Sequence, residues 1–86
     1  MEYYVKSVVP IIESNYDKFT PVEKQIANFF IHNQKKMDFS IKHISELLFT
    51  SKATLVRFAQ KCGYHGYKEF IYQYEETLIE KPEKIT

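Results

Sequence analysis

The sequence is poor in the residues that punctuate or staple small folds: its 86 positions include two glycines, three prolines, one cysteine and no tryptophan. A lone cysteine, Cys62, cannot form an intramolecular disulfide, so the fold must rest on its core, and a reducing cytoplasm is the expected setting. No apolar run approaches the ~20 residues that a membrane-spanning helix needs. The N-terminus also lacks the basic stretch, apolar run and small-residue site of a secretory signal, so no membrane partner is expected. Turn residues are scarce, and apolar positions recur every three or four residues rather than every second one. That pattern excludes a sheet and predicts an all-α chain.

Aromatic rings are plentiful. Seven Tyr and seven Phe make up 16% of the chain, and hydrophobic residues 44%, enough for one core and one domain. The net charge is only +1, yet it is unevenly spread. Between Ser40 and Lys68 the basic residues Lys42, Lys52, Arg57, Lys61 and Lys68 face Glu46 alone. A locally basic segment in a near-neutral chain is the footprint of a phosphate-facing surface, with an ordinary solvated surface as the competing reading.

Start and stop signals divide the chain into five helices. Ser7 is expected to cap the first, which runs to about Asp17 with Val8, Val9, Ile12 and Tyr16 on one face and Pro10 in its first turn. Thr20-Pro21-Val22-Glu23 is a sharper signal, combining a capping hydroxyl, proline at the first helical position and glutamate in capping-box register. This second helix reaches about His32, turns Val22, Ile26, Phe29 and Phe30 inward, and is expected to end on Asn33 in a left-handed conformation. Ser40 caps a short third helix, Ile41 to about Leu48, with Phe39 stapled onto Ile44. Ser51 caps a fourth, Lys52 to Cys62, stopped by Gly63 and burying Leu55, Phe58, Ala59 and Cys62. The fifth, Tyr67 to Glu80, buries Tyr67, Phe70, Ile71, Tyr74 and Leu78. The domain is expected to span residues 1–80, and residues 81–86, around Pro82, to begin a linker.

The third and fourth helices, joined by about three residues, form a helix-turn-helix pattern, and the second of the pair is basic and serine-capped. The expected architecture is a homeodomain-like three-helix core with flanking N- and C-terminal helices. Ile44 would face the second helix of the pair, and the small Ser45 would sit where the two cross. Ser51, Lys52, Ala53, Val56, Arg57, Gln60 and Lys61 would then look outward. Arginine pairs bidentately with guanine and glutamine with adenine, while alanine and valine can touch a thymine methyl. Ser40 and Ser51, each beside free helix N-terminal amides, suit phosphates. The turn between the helices usually holds glycine or asparagine at positive φ, and here that place falls to Phe49. Either Phe49 reaches this conformation because its ring packs inward, or the turn has another shape.

From Thr20 to Glu76 the chain resembles the N-terminal domain of RpiR-type regulators. The resemblance rests on Thr20-Pro21-x-Glu23, Ser40-Ile41, the run Ser51-Lys52-Ala53-Thr54-Leu55-Val56-Arg57-Phe58, and Gly63-Tyr64-x-Gly66-Tyr67-x-Glu69-Phe70. It implies a homodimeric regulator of sugar or amino-sugar catabolism that binds double-stranded operator DNA. A following sugar-isomerase-like domain, absent from this chain, would bind a phosphosugar effector. The expected DNA-binding residues are Ser40, Ser51, Lys52, Ala53, Thr54, Val56, Arg57, Gln60, Lys61 and Lys68.

Competing readings stand beside these. Arg57 could pair with Glu23 or Glu69 instead of a base, and Tyr64 and Tyr67 suit the core better than a stacking platform. His32, His43 and His65 are too widely spaced for a metal site, Cys62 lies on an inward stripe, and no nucleophile-base pair is visible. Neither catalysis nor a cofactor is expected. The rival from another class is a helical protein-interaction module without DNA contact, favoured by Phe49 and Val56.

Overall fold

The computed structural model describes residues 8–33 and 35–80. The expected cap at Ser7 and the linker at 81–86 lie outside the described residues. Among those described there are five α-helices and no strand: α1 (Val8–Ser14), α2 (Pro21–His32), α3 (Ile41–Leu47), α4 (Lys52–Lys61) and α5 (Tyr67–Glu80). A 3-10 turn, Tyr16–Lys18, stands where the first helix was expected to continue to Asp17. Competition for carbonyls explains the early stop. The Asn15 side-chain amide and the Ser14 hydroxyl both donate to the Ile11 carbonyl, offering the backbone a non-helical alternative.

Three serine or threonine caps set the helix starts. Thr20 and Glu23 form a full capping box on α2, Ser40 accepts the His43 amide on α3, and Ser51 accepts the Thr54 amide on α4. The end of α2 differs from expectation. Asn33 is extended rather than left-handed, at φ −74° and ψ 130°. The Tyr74 hydroxyl donates to the carbonyls of Phe30 (2.8 Å) and Asn33 (3.1 Å), so carbonyls left over at the helix end are satisfied without a reversal of the chain.

Helices α3 and α4 end in the same backbone motif with different residues. After α4, the Gly63 amide donates to Gln60 and the Tyr64 amide to Ala59, with Gly63 at φ 101°. After α3, the Phe49 amide donates to Glu46 and the Thr50 amide to Ser45, with Phe49 at φ 55°. Both are Schellman closures, in which the left-handed residue is normally glycine. Neither expectation for Phe49 holds as stated, because the conformation is reached while the ring stays 95% exposed. Backbone hydrogen bonds, not ring burial, enforce it.

The core is a nest of rings centred on Phe30, whose centroid lies 5.0 Å from those of Phe29, Phe70 and Tyr74, and 6.2 Å from that of Phe58. Phe19 extends the nest onto Phe58 at 5.0 Å. Leu55, Phe58 and Ala59 bring α4 into this core, while α1 and α5 close it from the far side. One residue of the expected α2 stripe is misplaced: Val22 is 46% exposed, and Glu23 takes the inward position in register with Ile26, Ala27 and Phe30. The capping box fixes this rotation by drawing the Glu23 side chain back over Thr20.

Two substitutions test these arguments in urea unfolding. Phe49→Gly removes left-handed strain at no cost in burial and is expected to raise stability by about 1 kcal/mol. Phe30→Ala empties the centre of the nest and should cost about 3–5 kcal/mol.

Candidate nucleic-acid interface

Helix α4 divides cleanly. Leu55, Phe58 and Ala59 are fully buried, whereas Lys52, Ala53, Arg57, Gln60 and Lys61 are exposed. Ala53, Arg57 and Gln60, spaced four and three apart, form one outward stripe. Arg57 makes no ion pair or hydrogen bond with any described residue. The acids that could have claimed it are engaged elsewhere. Glu23 binds Lys61 at 2.7 Å, and Glu69 accepts both the His65 amide (2.7 Å) and Nδ1 (3.0 Å). Among the described residues nothing occupies the guanidinium donors, which suits them to an external acceptor.

The other expected site residues occupy varied settings. Ser51 and Thr54 share a 2.7 Å hydrogen bond between their hydroxyls at the start of α4, next to exposed Lys52. Gln60 donates from Nε2 to the His65 carbonyl at 3.2 Å, which ties one of its amide protons to the α4–α5 loop. Val56 is half-buried and packed against the core instead of projecting outward. It lines a groove of about 870 Å3 shared with Met37, Phe39, Ile41, Tyr67 and Ile71. Ser40 and Lys68 are exposed on the rim of that groove, away from the Ala53–Arg57–Gln60 stripe in sequence but adjacent to Val56 in space. Tyr67 is buried, donating to the Phe39 carbonyl at 2.9 Å, and Tyr64 sits edge-on to Phe70, so both rings serve packing.

Lys61 departs most from expectation. Its ammonium is drawn back across the protein to Glu23 Oε1 at 2.7 Å and to the Lys18 carbonyl at 3.3 Å. Glu23, only 4% exposed, also accepts the Thr20 amide on the same oxygen at 2.9 Å. Burial pushes the Glu23 carboxyl up. The hydrogen bonds from Lys61 and Thr20 and the lysine charge outweigh burial and leave the carboxyl below its ordinary value. A signal for this pair was present in the sequence, since Glu23 falls in register with Ile26 and Phe30 and so needs a cation inside.

Burial, with a smaller contribution from the Glu23 charge, pushes the Cys62 thiol up to about 12, so it stays protonated and behaves as a small apolar side chain. No group of three His, Cys, Asp or Glu that could hold a metal occurs among the described residues, and no described helix is long and apolar enough to cross a membrane.

Two short helices packed on one another, the first burying the small Ser45 and the second exposing an arginine with no partner among the described residues, define a helix-turn-helix protein. Residues 6–81 match the family described as "Helix-turn-helix domain, rpiR family", and the chain belongs to that family. Membership supports the role of a DNA-binding transcription regulator, in a family that is typically non-enzymatic. A comparison with curated protein sequences gives no match.

The Glu23 shift sets a pH dependence. A carboxyl whose folded pKa is depressed contributes stability that is complete above its unfolded value, about 4.3, and lost as pH falls through the lower folded value. Unfolding followed from pH 6 to pH 3 should therefore show an acid limb that is shallower in Glu23→Gln than in the parent chain.

Proposed function

We propose that this domain binds double-stranded operator DNA sequence-specifically, with α4 in the major groove. Arg57 reads a base edge and Ala53 lies against the groove floor, while Gln60 contributes the part of its amide not bound to His65. Lys52, Ser51 and Thr54 at the start of α4, with Ser40 and Lys68 at the groove rim, contact phosphates and set the register. Val56 supports the reading helix from its flank. The single observation that carries this reading is the exposed Arg57, without a partner among the described residues, on the second helix of an RpiR-family helix-turn-helix.

In the whole regulator the domain acts as one half of a homodimer in the reducing cytoplasm, meeting half-sites about one helical turn, ~34 Å, apart. A following sugar-isomerase-like domain binds a phosphosugar and adjusts operator occupancy at genes of sugar or amino-sugar catabolism. Support for these finer statements is the family resemblance alone.

A second reading, a helical protein-interaction module, is favoured by the exposed Phe49 ring and by the apolar groove beside Val56. Salt separates the two, because phosphate contacts release counterions and apolar contacts do not.

The test is selection of bound duplexes from a random pool, followed by titrations over a salt series. Arg57→Ala is expected to cost ~1–3 kcal/mol on the selected duplex and to relax preference at one position, whereas Lys68→Ala should weaken all duplexes alike and reduce the salt slope by about one. Binding that ignores salt, or a pool that yields no motif, contradicts the proposal.

A further inference from the structure

We infer that the Glu23–Lys61 pair is a positioning device for the reading helix, and that Lys61 is not a phosphate ligand; the inference rests on the DNA-binding reading. Helix α4 is only ten residues long and is capped at its start by Ser51. Its inner face is held by apolar contacts from Leu55, Phe58 and Ala59, with Val56 on its flank and Cys62 buried just past its end. Such contacts are non-directional and fix burial more firmly than tilt. Lys61, the last residue of α4, adds a directional, polar constraint at the far end. Its ammonium bridges the Glu23 carboxylate in the first turn of α2 and the Lys18 carbonyl just before that helix. Glu23 is itself immobilised, because the same oxygen accepts the Thr20 amide while the Thr20 hydroxyl accepts the Glu23 amide at 3.2 Å. The clamp thus links the capping box that starts α2 to the end of α4.

The clamp lies well suited to this task. Phe19, next to Lys18 in sequence, packs on Phe58 of α4 with ring centroids 5.0 Å apart and planes tilted by 40°, so the segment that receives the Lys61 ammonium also touches the buried face of α4. A lysine at a helix C-terminus also meets the favourable end of the helix dipole. Tilting α4 would swing Arg57 away from a base edge while leaving the exposed cations free to follow the phosphate backbone. Loss of the clamp should therefore reduce discrimination between duplexes more than general attraction to DNA.

The experiment compares the parent domain with Glu23→Gln, Lys61→Met, Lys61→Arg and the double variant Glu23→Gln/Lys61→Met. Each is titrated with the selected duplex and with a random duplex of equal length, over the same salt series, after its thermal midpoint has been read. Glu23→Gln and Lys61→Met are each expected to weaken the selected duplex about tenfold, the order of one lost base contact, with random-duplex binding within about twofold and salt slopes unchanged. Lys61→Arg should recover most of the discrimination. The double variant should lose no more than either single, as two halves of one contact do, and it replaces any single variant that the stranded buried charge unfolds. A salt slope lowered by about one in Lys61→Met would make Lys61 a phosphate ligand and overturn the inference. So would a selected-to-random ratio unchanged in Glu23→Gln, or additive losses in the double. Failure of the parent domain to bind duplex DNA in a salt-dependent way would instead overturn the DNA-binding reading itself.

Discussion

The burial of Phe58 and Leu55 against the ring nest around Phe30 is the constraint on which the rest of the structure depends. It rotates α4 about its axis, and that rotation alone decides which side chains meet solvent. Because Phe58 must turn inward, its neighbour Arg57 must turn outward, and Ala53 and Gln60 follow at helical spacing. A few rings are economical for so small a chain. Each buries far more surface than an aliphatic residue and makes edge-to-face contacts with several others, which fixes orientation as well as distance.

Much of this was legible in the sequence because the strongest local signals coincide with the tertiary demands. The capping box at Thr20, the serine caps at Ser40 and Ser51, and the Gly63 stop place three of the five helices within a residue or two. Where local cues competed with long-range partners, the sequence misled. Asn33 has the residue type of a left-handed terminator, but Tyr74, forty-one positions later, supplies the hydrogen bond that a reversal would have provided. Val22 and Glu23 look like surface and core in the wrong order until the capping box is seen to set the helix rotation. Lys61 reads as one more member of a basic segment, and only the fold brings Glu23 to it across 38 positions.

The candidate interface was legible in the same uneven way. Arg57, Lys52 and Ala53 could be placed outward from periodicity within α4. Val56 could not, because the groove that half-buries it is built by the segment leading into α3 and by α5, whose approach no local pattern encodes. Phe49 is the sharpest local conflict. A bulky residue stands in the left-handed place that glycine fills after α4, with its ring in solvent. Native chains tolerate such strain where surrounding hydrogen bonds over-determine the backbone, and the amides of Phe49 and Thr50 do that here.

The central claim is that the outward face of α4 meets DNA directly. Backbone amide chemical shifts recorded while a selected duplex is added test it most directly. The account predicts that the largest changes fall on Lys52, Ala53, Arg57 and Gln60, with small ones at α1 and the far end of α5. Changes centred instead on Phe49 or on the groove between Met37 and Tyr72, with α4 undisturbed, would contradict it.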